Sequence, residues 1–162
     1  MLEGIKKLHF VGIGGVGMSA IAEVMLDKGY EISGSDLSES AVVKHLKAKG
    51  ATIYKGHDAL NVEGKEALVL SSAIHQDNPE LVAAKAKGLK LFHRSDILAY
   101  LLNDAKGIAV AGAHGKTTTS SMISVVLEHA KVDPTILIGG FVDYLKGNAK
   151  LGKSDYLVAE AD

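Results

Sequence analysis

The sequence predicts an α/β protein: a Rossmann-like doubly wound parallel sheet, followed by the start of a P-loop-type α/β ATPase domain. Three observations predict it. Short apolar runs alternate with helical patterns along all 162 residues, and strands separated by helices pair in parallel through right-handed crossovers. Two glycine clusters, VGIGGVGMSA (11–20) and GAHGKTTT (112–119), each follow an apolar run and open a helical one. A polar stretch from Asn103 to Lys106 then separates two such cycles, which divides the chain into 1–104 and 105–162.

The elements follow in order. LHFVGI (8–13) reads as a buried strand, and Val16 to Lys28 as a helix ended by Gly29, where a left-handed residue closes a helix. EISGSD (31–36) is the second strand, and Ala41 to Lys49 the second helix, stopped by Gly50. TIYKG (52–56) is a weaker strand; EALVLSSA (66–73) is a stronger one whose continuous apolar centre implies burial on both faces. Asn78-Pro79-Glu80 starts a helix that runs to Gly88, with Asn78 as its cap and Pro79 in the turn where a missing N–H costs nothing. KLFH (90–93) is the next strand, and Ser95 is expected to cap DILAYLLN (96–103). In the second part, strand GIAVAG (107–112) leads to a helix from Lys116 to His129, then to strands TILIGG (135–140) and YLVAE (156–160).

Composition narrows the function classes. Apolar residues make up 47% of the chain, enough for a packed core rather than disorder. A formal net charge of −1 argues against nucleic acid or an anionic membrane as partner, since both need a basic face. There is no cysteine, so disulfides, thiolate-bound zinc and thiol catalysis are excluded, in keeping with a reducing, cytoplasmic setting. No apolar run approaches the ~18 residues of a membrane span.

In the first glycine cluster, Gly12 permits a tight turn, Gly14 lets backbone approach a pyrophosphate, and Gly17 allows close helix–strand packing. Gly15 and Val16 complete the loop, whose anion would meet the unpaired N–H groups and positive dipole end of the following helix. Asp36 ends the second strand, where dinucleotide folds place a ribose-binding acid. The bland alternative is a glycine turn that only packs a helix. The motif alone does not choose among NAD, NADP, FAD and UDP-sugars, which all carry a pyrophosphate.

The second cluster runs Gly112, Ala113, His114, Gly115, Lys116, Thr117 and Thr118. Backbone N–H groups there can wrap phosphate, the Lys116 ammonium can reach the β- and γ-phosphates, and the Thr117 hydroxyl can hold Mg²⁺. Val110 stands where the ordinary G-x-x-x-x-G-K-[ST] spacing wants its first glycine, so the loop is short or differently shaped. Glu160, at the end of an apolar strand, is the candidate second Mg²⁺ ligand, with Asp162 behind it.

Two phosphate sites in series, one for a diphosphate and one for ATP with Mg²⁺, point to an ATP-driven ligase. HFVGIGGVGMSAIAEVM, GSD, GHDALN, LVLSSAI, DNPEL, HRSDIL, AVAGAHGKTTTSSM and YLVAEAD follow one another in the order found in Mur ligases, and the resemblance covers essentially the whole chain. It implies ATP-dependent ligation of L-alanine to the lactyl carboxylate of UDP-N-acetylmuramate through an acyl phosphate, in cytoplasmic peptidoglycan precursor synthesis that serves cell shape and division. It also implies a UDP-N-acetylmuramate-binding domain over 1–104. There the loop of Gly12, Gly14, Gly15, Val16 and Gly17 takes the diphosphate, Asp36 lies near the uridine, and Ser71, Ser72 and His75 lie beside the sugar or its carboxylate. Mur ligases use a shorter G-T-x-G-K-[ST] loop, so Gly112 becomes the first loop glycine and Val110 needs no explanation. Lys116, Thr117 and Glu160 are then the catalytic and metal-holding residues.

His114 matches the family at its position and is not read as a base. His57, His75 and His93 read as polar loop or strand-end residues, His75 having the strongest claim to touch substrate. Ala113 departs from the family's threonine, and the resemblance implies further ATPase and C-terminal domains after Asp162. The 162 residues alone are therefore expected to bind the UDP substrate without turning over ATP. Three other readings are an NAD(P)-binding oxidoreductase domain, a non-catalytic UDP-sugar-binding module, and the related ligase that recycles murein tripeptide.

Overall fold

A computed structural model describes residues 1–161; Asp162 lies outside the described residues. The chain forms two compact units, Met1–Ile97 and Leu98–Asp162.

The first unit holds strands β1 (Lys7–Val11), β2 (Glu31–Asp36), β3 (Thr52–Lys55), β4 (Ala67–Leu70) and β5 (Lys90–His93) in the order β3-β2-β1-β4-β5. All four pairings are parallel. The order reverses between β1 and β4, and at such a switch point the carboxyl ends of the strands leave a crevice for ligand. Helices α1 (Val16–Asp27), α2 (Ala41–Ala48) and α3 (Pro79–Ala86) supply the crossovers. Gly29, Gly50 and Gly88, predicted to stop them, all carry positive φ. α3 begins as predicted, with Asn78 Oδ1 accepting from the N–H groups of Glu80 and Leu81. Both central strands are buried: Leu8, Phe10 and Val11 of β1 and Leu68 and Val69 of β4 are fully inaccessible. Leu81 and Ala84 of α3 pack on Val11, Val62, Leu68 and Leu70 on one face of the sheet. A 3-10 turn, Ala59–Val62, capped by the Asp58 carboxylate, precedes β4.

Helix α4 (Arg94–Asn103) starts directly after β5, in the first unit, and ends in the second. Ser95 is not its cap but its second residue. The group that reaches back is Asp96, whose carboxylate accepts from the His93 N–H at 2.7 Å. A carboxylate does this better than a hydroxyl because it is a charged acceptor.

The second unit carries β6 (Lys106–Val110), α5 (Lys116–His129), β7 (Thr135–Val142), β8 (Gly147–Lys150) and β9 (Tyr156–Glu160), in sheet order β6-β9-β7-β8. β9 pairs in parallel with β6 and β7, while β8 returns antiparallel along the edge of β7. The parallel sheet expected here is therefore mixed. Gly147–Lys150 has no strand-like apolar alternation, and it is held by the backbone edge it pairs with rather than by its side chains.

Candidate functional site

The first site lies at the carboxyl ends of β1, β2 and β4. The chain leaving β1 is pinned to β2, where Ser35 O accepts from both Gly12 N–H (2.9 Å) and Ile13 N–H (3.0 Å). Asp36 then latches the loop: its Oδ2 accepts from Gly14 N–H at 2.8 Å, and its Oδ1 from the N–H and hydroxyl of Ser38. A methyl group on Gly14 would sit 2.7 Å from that Oδ2 and 3.1 Å from Val43 Cγ2, so a side chain there would have to push the Asp36 latch aside. The acid predicted beside the ribose thus braces the loop itself. Behind the latch, Gly15 is the N-cap of α1 and offers no side-chain acceptor, and the positive dipole end of the helix faces the loop.

The turn after β4 completes the rim. Ser71 is half-buried, Ser72 and His75 are exposed, and Ile74 reaches across so that its Cδ1 lies 3.6 Å from the Cβ position of Gly12. Sequence reasoning assigned no role to Arg94, although it quoted HRSDIL. Its guanidinium lies against Gly17 in the first turn of α1, with Nη1 2.6 Å from the Cβ position there. Positive charge at that end of a helix is unfavourable to the dipole and favourable to an anion bound between them.

Beneath this rim is a buried polar cluster that sequence reasoning also missed. Glu80 of α3 is fully inaccessible, and its Oε1 accepts from Asn61 Nδ2 (2.7 Å) and faces His9 Nε2 (3.2 Å). Its Oε2 accepts from the Ser35 hydroxyl (2.6 Å) and faces His57 Nδ1 (2.9 Å). His9 Nδ1 in turn lies 2.9 Å from Ser33 Oγ. Burial pushes the Glu80 carboxyl up, but the hydrogen bonds from His9, Ser35, Asn61 and His57 outweigh it and hold the pKa at about 2. A signal existed: His9, Ser33 and Ser35 alternate on paired central strands, a polar stripe inside a core that needs a polar partner. His57 is thus part of the cluster, whereas His75 and His93 are exposed.

The second site lies between β6 and α5. Gly115, at φ +76, turns the chain into α5, and the Lys116 ammonium folds back on the loop to donate to Gly112 O at 2.7 Å. Ala113, His114, Thr117 and Thr118 are all exposed. Register sets Glu160 opposite Val110, the residue from which the loop departs, and Ala161 N–H continues the ladder onto Val110 O. Glycines of β7 leave room for each of the two predicted metal ligands. The Cβ position of Gly139 is 2.6 Å from Glu160 Oε2, and that of the adjacent Gly140 is 3.8 Å from Thr117 Oγ1.

These residues fit a hard divalent cation. Glu160 Oε1 is buried with no hydrogen-bond partner among the described residues, a costly state for a carboxylate oxygen that a cation would relieve. No group of three or more His, Cys, Asp or Glu gathers as a metal cage among the described residues.

The pattern of the Mur ligase family, catalytic domain, matches residues 7–120. A UDP-N-acetylmuramate–L-alanine ligase of Hydrogenobaculum is 56% identical over 160 residues, which is 99% of this chain and 36% of the relative. Among solved structures, the UDP-N-acetylmuramate–alanine ligase of Thermotoga maritima superposes with a TM-score of 0.84 at 33% identity, covering 95% of this chain and 37% of its own. A Neisseria ligase that joins UDP-N-acetylmuramate to L-alanyl-γ-D-glutamyl-meso-diaminopimelate gives 0.87 at 30% identity, covering 98% and 53%. The chain thus spans about a third of the length of the curated relatives it matches.

Proposed function

The chain belongs to the Mur ligase family, and from that premise we propose that it is the substrate- and nucleotide-binding part of an ATP-dependent ligase that joins L-alanine to UDP-N-acetylmuramate. The observation that carries this reading is the pairing, in one chain, of two strand-to-helix phosphate cradles. Only the second has a lysine in the loop and an unsatisfied carboxylate beside it. Residues 1–104 are assigned to the UDP substrate and 105–162 to ATP.

In this reading the Gly12–Gly17 loop and α1 hold the diphosphate, with Asp36 keeping the loop in register and Arg94 adding charge. Ser71, Ser72 and His75 border the sugar and its lactyl carboxylate. In the second unit, the backbone of Gly112 to Gly115 and the hydroxyl of Thr118 cradle ATP, while Thr117 and Glu160 hold Mg²⁺, which would supply charge neutralisation at the phosphates. Lys116 moves from Gly112 O to the γ-phosphoryl and stabilises the charge there as the substrate carboxylate attacks phosphorus and ADP leaves. The alanine amine then attacks the acyl carbon of the resulting acyl phosphate, loses a proton, and expels inorganic phosphate as the amide forms. Both ATP and the UDP-linked sugar are cytoplasmic metabolites, which sets the compartment of the reaction. Among the described residues no helix is long and apolar enough to cross a membrane.

The 56% identity to an alanine-adding ligase favours L-alanine over a tripeptide. The test is ADP release by the enzyme in its native reading frame, with UDP-N-acetylmuramate and each amino component in turn. Release dependent on L-alanine is expected; release dependent only on the tripeptide would replace this reading with the recycling one.

A further inference from the structure

We propose that Glu80 is a positioning residue that fixes the tautomer of His57, so that His57 Nε2 faces the first site as a hydrogen-bond acceptor for the nucleoside end of the UDP ligand; this rests on the first unit being the UDP site.

The hydrogen bonds dictate the tautomer. Glu80, as a carboxylate, can only accept. The Ser35 hydroxyl donates its proton to Glu80 Oε2 at 2.6 Å, which leaves Ser35 Oγ an acceptor as well. His57 Nδ1 lies 2.9 Å from both atoms, so both of its neighbours are acceptors and Nδ1 must carry the hydrogen. In the neutral ring Nε2 is then a bare lone pair. A carboxylate that accepts from the far ring nitrogen of a metal-binding histidine orients that ring in the same way.

Access and position define what that lone pair can read. His57 is the most accessible side chain of the Glu80 cluster: 19% exposed, against 0% for Glu80 and His9 and 8% for Asn61. With Nδ1 held inside on Glu80, the edge left to solvent carries Nε2, which has no partner among the described residues. His57 follows β3 and Gly56, so it stands at the carboxyl edge of the sheet, two strands from the phosphate loop on the side of Asp36. A diphosphate on that loop has its nucleoside on one side and its sugar on the other. With Ser71 and Ser72 at the β4 end, the nucleoside falls toward β2 and β3. Uridine offers donors there, the ribose hydroxyls and the imide N–H, whereas inorganic pyrophosphate seated on the loop has no group that extends so far.

Replacing Glu80 by Gln puts an amide NH₂ where every facing group donates. If it takes the Oε2 position, Ser35 must turn and His57 must move its hydrogen to Nε2, changing an acceptor into a donor. The test combines imidazole ¹⁵N NMR of His57 with calorimetric titration of UDP and of pyrophosphate into wild type, E80Q and H57F. Expected are an Nδ1–H tautomer in wild type and loss of that signature in E80Q. UDP affinity should fall roughly three- to tenfold in both variants, the worth of one hydrogen bond, while pyrophosphate affinity stays unchanged. H57F leaves Glu80 its bonds from Ser35 and Asn61 and so keeps the ligand arm decisive even if E80Q folds poorly. An Nε2–H tautomer in wild type, or undiminished UDP affinity in folded H57F, overturns the proposal while leaving the UDP site standing. Failure of wild type to bind either UDP or pyrophosphate overturns both.

Discussion

Replacing Glu80 by Gln should remove an acid-dependent part of the stability of the first unit. In the folded chain the carboxyl is held at about 2, against an ordinary value of 4.5. A group whose folded pKa is depressed contributes stability above its unfolded pKa and loses it as pH falls through the folded one. That depression is worth on the order of 3 kcal/mol above about pH 5.5, roughly half of that at pH 3, and little near pH 2. His9 and His57 face the carboxylate from β1 and from the segment after β3, with Ser35 and Asn61 completing the shell. Above pH 5.5 the variant therefore loses the ionic acceptor and also sets an amide N–H against donors. Urea unfolding of wild type and E80Q between pH 2.5 and 7.5 measures this, the difference between the two cancelling the carboxylates they share. The gap should be widest above pH 5.5 and close as pH falls toward 2. A gap independent of pH would refute the reasoning, because it would mean the carboxyl is not ionised inside the cluster.

The remaining predictions concern the two cradles. Gly14→Ala forces a methyl group onto Asp36 Oδ2 and should weaken UDP binding at least tenfold by calorimetry, with circular dichroism unchanged. Arg94→Ala should lower the affinity for pyrophosphate and steepen no other property; equal affinity with and without Arg94 would remove it from the site. In the ligase, Lys116→Ala should cut kcat by about a hundredfold or more, as loss of a preorganised charge at the transferring group does. Glu160→Gln should raise the Mg²⁺ concentration needed for half-maximal ADP release while leaving UDP binding unchanged.

Much of the fold was legible because local signals and tertiary demands agree. β1, β4 and β9 carry apolar runs that a central parallel strand requires, and glycines stand where helices α1 to α3 end. Both glycine-rich strand-to-helix turns were legible for the same reason: close backbone approach demands glycine at fixed offsets. What was not legible depends on partners distant in sequence. β8 exists because β7 offers it an edge, not because Gly-Asn-Ala-Lys favours a strand. Glu80 reads locally as an acid in a helix's first turn, a placement that the dipole alone would explain. Only the packing of α3 on β1 and β2 shows it buried between His9 and His57. Asp36 was found but its immediate task was not, since a carboxylate that braces a loop and one that holds a ribose look alike in sequence.

The central claim, that the first glycine loop serves a UDP-linked sugar rather than a dinucleotide cofactor, is tested most directly by one calorimetric competition on this chain. UDP-N-acetylmuramate should give a saturable heat that is abolished by prior addition of UDP and unaffected by NAD. Saturable binding of NADH, displaced by NAD and indifferent to UDP, together with no heat from UDP-N-acetylmuramate, would contradict it.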